Sequence, residues 1–245
     1  MKATAIIQVR LKSSRLPGKA LLPLGRKSVI YHVIERTKQI KNIENVIVAA
    51  GLGDDNSPLL DISKELNVDF YEGSENNVLD RFYKASLLHD SDYYIRVTGD
   101  NPLTDFHSAS DALTYAVNKK ADHCYVSGIP IGTGIEIISR SALKTAYEKS
   151  TENNQLEHVT PYIKENPDQF IMEKFEVKDY DNYDCRLTVD TDKDYEVMSL
   201  IYNELYTGTP ISLSSAISFL KKNPEIRLIN NDIEQRPMSH SSIND

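Results

Sequence analysis

The 245-residue sequence predicts an α/β fold, a mostly parallel sheet flanked by helices, built as one domain over residues 1–236 with a disordered tail at 237–245. Three observations point there. Short β-branched runs alternate with segments of helical periodicity, the links between them are short, and the length suffices for one large core.

"TAIIQV" (4–9) opens as a short apolar strand. "SVIYHVIERTKQI" then sets Val29, Ile30, Val33 and Ile34 on one helical face. "NVIVAA" (45–50) is a β-branched strand that ends in the turn "GLGDDN". A helix over "SPLLDISKEL" has Ser57 as its cap and Pro58 in its first turn. "VDFYEG" reads as a strand, and "NVLDRFYKASLLH" repeats apolar residues at Val78, Leu79, Phe82 and Ala85. "DYYIRVTGD" is a further strand ending in a loop. From Ala121 the rhythm changes. "ADHCYV", "GIEIIS" and "FIMEKFEV" read as strands, broken by "SGIPIGTG" and by a helix over "NNQLEHVTPYIKEN". "CRLTVDT" closes the strand series, and two helices follow over 192–206 and 212–225. The tail "PMSHSSIND" has no strong apolar anchor.

The balance of charge excludes some roles. A net charge of -8 opposes a nucleic-acid surface, which needs a basic stripe. No apolar run reaches the ~20 residues of a membrane span, and the opening run is too short for a secretory signal, so a cytoplasmic protein is expected. Cys124 and Cys185 have no metal-ligand spacing and read as reduced core thiols.

Against that acidic background, "QVRLKSSRLPGK" and its sequel collect Arg10, Lys12, Arg15, Lys19 and Arg26. Such a loop is either a seat for an anion or ordinary surface. It lacks the GxxxxGK[ST] spacing of a Walker loop. Asp100, in "VTGDNP", and Asp190, in "RLTVDTDKDYE", each end a strand-like run. Each reads as turn or cap chemistry alone, but two carboxylates from separate strand ends can share one divalent ion with phosphates. Thr191 or Asp192 caps the next helix. Glu136 either faces an acceptor or serves a hairpin, and His158 is a packed, interface or catalytic residue.

Taken with "GSENNVLDRFYKA", "LEHVTPYIKENP" and "NPEIRLINNDIEQ", these motifs resemble the cytidylyltransferases of acidic sugars. These are the CMP-Kdo and CMP-sialic acid synthetases and, nearest, the spore coat polysaccharide biosynthesis protein F group. The resemblance covers nearly the whole chain. It implies a Rossmann-like fold of nucleotide-diphospho-sugar transferase type, a small dimerisation arm and a homodimer. It implies CTP as substrate, Mg²⁺ as cofactor, and displacement at the α-phosphorus with loss of pyrophosphate, for surface polysaccharide biosynthesis. Arg10, Arg15 and Lys19 would grip the triphosphate, with Leu11 and the backbone from Ser13 near the base. Asp80 and Arg81 would lie beside the nucleotide or acceptor, Asp100 and Asp190 would hold Mg²⁺, and Lys19, Arg15 and Asp100 would serve the chemistry.

The chain departs from the pattern in two places. Gln8-Val9-Arg10 stands where the sialic acid and Kdo enzymes usually have Pro-Ala-Arg, and their sugar-binding segments do not map onto "SGIPIGTGIEI". Pro130–Glu136 has few basic neighbours in sequence, Arg140 being the nearest, so a compact phosphorylated or acidic acceptor is expected over full-length sialic acid. The alternatives are another nucleotide such as GTP, or a glycosyltransferase or nucleotide-sugar binding module.

Overall fold

The computed structural model describes residues 1–53, 55–180 and 183–234, so the expected tail at 237–245 lies outside the described residues. In chain order the strands are β1 (Ala3–Val9), β2 (Pro23–Leu24), β3 (Lys27–Ser28), β4 (Asn45–Gly51), β5 (Asp69–Gly73), β6 (Tyr93–Thr98), β7 (His123–Ser127), β8 (Glu136–Ser139) and β9 (Met172–Glu176). The helices are α1 (Val29–Thr37), α2 (Ser57–Glu65), α3 (Val78–Ser86), α4 (Phe106–Lys119), α5 (Arg140–Lys149), α6 (Asn153–His158), α7 (Pro161–Glu165), α8 (Asp192–Leu205), α9 (Leu213–Lys222) and α10 (Pro224–Leu228).

The main sheet has the order β5-β4-β1-β6-β8-β7-β9. β1 pairs in parallel with both β4 and β6, so the chain leaves β1 toward one edge and returns to the other side at β6. That reversal opens a crevice at the carboxyl ends of β1 and β6, the place where parallel sheets of this type bind ligands. β8 runs antiparallel to β6 and to β7, whereas β7 and β9 are parallel. The mostly parallel, helix-flanked sheet expected from the sequence is therefore present.

Alternation along β1 divides the core. Ala3, Ala5, Ile7 and Val9 pack with Ile30, Val33 and Ile34 of α1 and with Ala109 and Leu113 of α4. Ile6 faces the opposite way, toward Phe82 of α3 and Leu143 of α5. Phe82 is fully buried, and burying such a side chain contributes roughly 1.5–3 kcal/mol. A third apolar cluster lies outside both faces. It packs Leu16 and Leu24 from the segment after β1 against Leu187 and Val189, and against Val197, Ile201 and Ile217 of the last helices.

Local signals explain several boundaries. The Asn77 side chain accepts from the Asp80 amide at 2.8 Å and starts α3. Of the two candidate caps for α8, Thr191 serves, in a reciprocal box with Asp194. α2 is capped one residue earlier than expected: Asn56 holds that position, and its amide donates to the Gly51 carbonyl at 2.8 Å. The helix expected over 153–166 is broken, because Val159 takes a φ of 70° and Pro161 starts a new turn as α7. α4 and α5 are absent from the sequence reading. The run 185–191 is extended but joins the sheet region through one parallel bridge, Ile131 to Arg186. Cys124 and Cys185 are free and buried, as expected. Among the described residues, no helix is long and apolar enough to cross a membrane.

Gly132 holds that bridge close. Its φ is +87°, and a Cβ there would meet the Leu187 carbonyl oxygen at 2.6 Å. Gly132→Ala is expected to cost about 1–3 kcal/mol and to displace the segment leading to Asp190. Urea unfolding checks the first effect, and an unchanged midpoint would show that the 185–190 segment yields freely.

Candidate active site

At the end of β1 the chain turns through 10–18, where Gly18 has a φ of +68° and donates its amide to the Leu11 carbonyl at 3.0 Å. Lys19 follows in a short 3-10 turn, Lys19–Leu21. Leu16 on one side and Ala20 on the other are buried, in different apolar clusters, and pin the loop. Lys19, between these anchors, and Arg15, just before them, line the crevice.

There the two acids meet. Lys19 Nζ donates to Asp100 Oδ2 at 2.6 Å and to Asp190 Oδ1 at 2.8 Å. Arg15 pairs with the second Asp190 oxygen, which Arg186 also approaches at 3.3 Å. Arg186 is held in turn by Asp194, with Nε at 2.9 Å from a fully buried carboxylate. The backbone supports the arrangement, since Val189 donates its amide to the Asp100 carbonyl at 2.8 Å. Burial would raise the Asp100 carboxyl, but the Lys19 charge and hydrogen bond outweigh it and leave the group below its ordinary value. Burial likewise opposes the Lys19 charge, and the two aspartates overcome it and raise the ammonium. Asp100 and Lys19 are therefore both ionised at neutral pH.

The crevice is a hollow of about 220 Å³ lined by Gln8, Arg10, Arg15, Lys19, Arg81, Thr98, Asp100, Glu157, His158 and Asp190, among others. Six of the expected site residues therefore converge: Arg10, Arg15, Lys19, Arg81, Asp100 and Asp190. Arg81 is nearly fully buried and spends one nitrogen on the Ser74 carbonyl at 2.5 Å, fixing the loop before α3. Leu11, Ser13 and Asp80 are not among the residues that line the crevice. Leu11 packs on the core, Ser13 Oγ accepts from the Leu16 amide at 3.4 Å, and Asp80 pairs with Lys84 at 2.9 Å. His158 is at the wall, and burial lowers its imidazole below the ordinary value, assisted by Arg96, Arg10 and Lys164 against the opposing charge of Glu157.

A second hollow of about 620 Å³ adjoins the first, and Thr98 lines both. Val126, Ile129, Ile135 and Met172 form apolar walls, and Arg96, Glu136 and Lys164 form a charged floor. Glu136 is 2.5 Å from Arg96 and 2.6 Å from Lys164, with His123 Nε2 at 3.1 Å and the Thr160 hydroxyl donating at 3.1 Å. Arg96 also donates from Nε to Gln8 Oε1 at 2.9 Å. The expectation that Arg140 is the basic group nearest this region is corrected. Arg140 pairs with Asp90 at 2.5 Å and bonds the Ser91 carbonyl at 2.6 Å, away from the hollow. Arg96 and Lys164, remote in sequence, bring the positive charge instead.

Burial would raise the Glu136 carboxyl, but Arg96, His123 and Lys164 pull it well below its ordinary 4.5. Its contribution to stability is thus complete above pH 4.5 and is lost as pH falls through the lower folded value. Glu136→Gln is expected to lower stability at pH 7 and to flatten the decline below pH 4.5. Unfolding curves from pH 7 to pH 3 test this, and equal acid slopes in the two proteins would refute it.

The donor set suits a hard divalent cation. Asp100 and Asp190 already share one cationic atom, Lys19 Nζ, within 2.8 Å of both. Among the described residues there is no cluster of three or more His, Cys, Asp or Glu able to hold a metal. Two carboxylates, with phosphate and water completing the shell, are the arrangement Mg²⁺ accepts.

Comparison with known proteins identifies a family and a fold. A family profile described as Cytidylyltransferase matches residues 4–232. The chain is 36% identical over 240 residues to an uncharacterized protein of Methanocaldococcus jannaschii, covering 96% of this chain and 97% of that one. It is 31% identical over 231 residues to the spore coat polysaccharide biosynthesis protein SpsF of Bacillus subtilis, covering 90% and 94%. Among solved structures, a cytidylyltransferase from Leptospira borgpetersenii superposes with a TM-score of 0.87 at 29% identity, covering 96% of this chain and 100% of that one.

Proposed function

The chain belongs to the cytidylyltransferase family, and from that premise we propose that it transfers CMP from CTP to an acidic sugar, releasing pyrophosphate, as a step toward surface polysaccharide. The observation that carries the reading is the convergence of Arg10, Arg15 and Lys19 with Asp100 and Asp190 at the carboxyl ends of β1 and β6. Residues 1–236 act as a single nucleotidyltransferase domain.

Arg10, Arg15 and Lys19 bind the triphosphate and oppose the charge that builds on the departing pyrophosphate. Asp100 and Asp190 would hold Mg²⁺, which when bound offsets negative charge on the phosphates. Leu16 and Ala20 keep the cationic loop from retreating, so its charge is in place before the reaction. The acceptor occupies the second hollow, where Thr98 marks the boundary with the nucleotide. Arg96 and Lys164 set two positive charges against the single charge of Glu136, which leaves an excess for one acidic group. That excess, with the larger volume, supports an acidic sugar, where the sequence favours a compact phosphorylated or acidic polyol or sugar over full-length sialic acid. Exposed Ile171, beside β9 at the edge of the sheet, supports a homodimer through that end.

Pyrophosphate release with CTP, UTP, GTP and ATP, each with Mg²⁺ and a panel of acidic sugars, polyol phosphates and phosphonates, tests the proposal. CTP with one acidic sugar is expected to give selective turnover. A preference for GTP, or nucleotide-sugar binding without pyrophosphate release, would refute it.

A further inference from the structure

Asp100 and Asp190 come from different strand ends, yet the cation between them belongs to the protein itself. The ammonium of Lys19 reaches both, at 2.6 and 2.8 Å, and its side chain is 11% exposed. The two carboxylates therefore have their attraction for a cation already satisfied. The wider network is balanced as well, with Arg15, Lys19 and Arg186 set against Asp100, Asp190 and Asp194. A divalent cation entering this network would add two charges to a closed set and would have to expel the ammonium.

Expulsion needs somewhere for the ammonium to go. The loop backbone is fixed by Leu16 and Ala20, but a lysine carries its charge on four flexible carbons and can swing without backbone movement. On the proposed function a nucleoside triphosphate would supply the destination, since the crevice lined by Arg10, Arg15 and Lys19 would hold its negative charge. Once the ammonium turns to phosphate, the carboxylate pair is free.

We propose that Lys19 occupies the metal seat of the nucleotide-free protein, so that Asp100 and Asp190 admit a divalent cation only together with a triphosphate. This rests on the reading that the two aspartates are the metal ligands. The coupling is reciprocal, because whatever the triphosphate adds to metal affinity, the metal adds to triphosphate affinity. Lys19 is a positioning residue in this step as well as a phosphate ligand. Its loss has opposite consequences for the two ligands, weakening the triphosphate and strengthening the free metal.

The test is Mn²⁺ binding to the full chain without nucleotide, followed by the paramagnetic resonance signal of free Mn²⁺. Lys19→Gln is expected to bind Mn²⁺ at least about tenfold more tightly than the wild type, and Mn²⁺ raises the melting temperature of this variant alone. Arg10→Gln removes a cation from the crevice that has no ion pair to either aspartate, and it leaves Mn²⁺ affinity near wild type. Equal affinities for wild type and Lys19→Gln, or an equal gain in Arg10→Gln, would overturn the proposal. Should Lys19→Gln not fold, the wild type decides alone, since nucleotide-free binding tighter than about 10⁻⁴ M would overturn it. Pyrophosphate release separates the two readings: turnover with CTP but no Mn²⁺ gain in Lys19→Gln sinks this proposal, and the reverse sinks the assigned reaction.

Discussion

Asp100→Asn and Asp190→Asn are each expected to lower kcat for pyrophosphate release at least about a thousandfold, on the order of 4 kcal/mol. The changes are close to isosteric, so the crevice keeps its shape while one shared cation ligand is lost. In Asp100→Asn, Lys19 keeps Asp190 at 2.8 Å, and in Asp190→Asn it keeps Asp100 at 2.6 Å. Neither variant strands the ammonium, and the melting temperature is expected to move little beside the activity. Nucleotide binding by calorimetry separates lost chemistry from lost affinity. Turnover within about tenfold of wild type would remove that aspartate from the chemistry.

The largest stability effect belongs to Asp194→Ala, at about 3–5 kcal/mol. Asp194 is fully buried and takes Arg186 Nε and Asn230 Nδ2, each at 2.9 Å. Its carboxylate also accepts the Thr191 amide at 3.0 Å, which closes the cap of α8. Removing it takes the Nε bond from the guanidinium of Arg186, 6% exposed, which still approaches Asp190 at 3.3 Å. Breaking a buried pair from one side exposes the full desolvation cost of the charge left behind, and the helix loses a cap. Urea denaturation measures the loss. A cost under about 1 kcal/mol would mean that the Arg186 charge finds solvent or another partner without strain.

Much of the fold was legible because its central strands are written in large side chains. Runs such as "AIIQV" and "NVIVAA" are buried strands and could be read as little else. The signal of α4 is weak because Leu113 is the one large side chain on a buried face otherwise made of Ala109, Ala112, Ala116 and serines, which leaves a faint period. α5 starts at Arg140 directly after β8, with Ser139 as cap and no loop to announce it. The reversal of β8 was invisible, since four residues of strand carry no direction. The break between α6 and α7 depends on a β-branched residue at positive φ, which local rules disfavour.

The site divides in the same way. Charges near a strand end could be read locally, which is why Arg10, Arg15, Lys19, Asp100 and Asp190 were found. Their mutual contacts could not, because Lys19 meets partners 81 and 171 positions away. The basic floor of the second hollow was missed for a related reason. Arg96 reads as the polar residue of a strand and Lys164 as a helix charge, until the fold brings both to Glu136. Sequence neighbours pointed to Arg140, which the fold commits elsewhere.

The third apolar cluster has a bearing on how the protein is made. Leu16 and Leu24 leave the ribosome early, but Leu187, Val189, Ile201 and Ile217, on which they pack, come late. While the sheet from β1 to β6 is being synthesised, Ala20 can already pack on the first core, but Leu16 has no surface to lie on and Asp190 does not yet exist. The crevice is therefore completed only once the segment through Asp190 and the helices α8 and α9 have been made. A nascent chain halted after β6 has the central strands of the sheet without Asp190 or the surface that seats Leu16, so the crevice is assembled in one late step rather than growing with length.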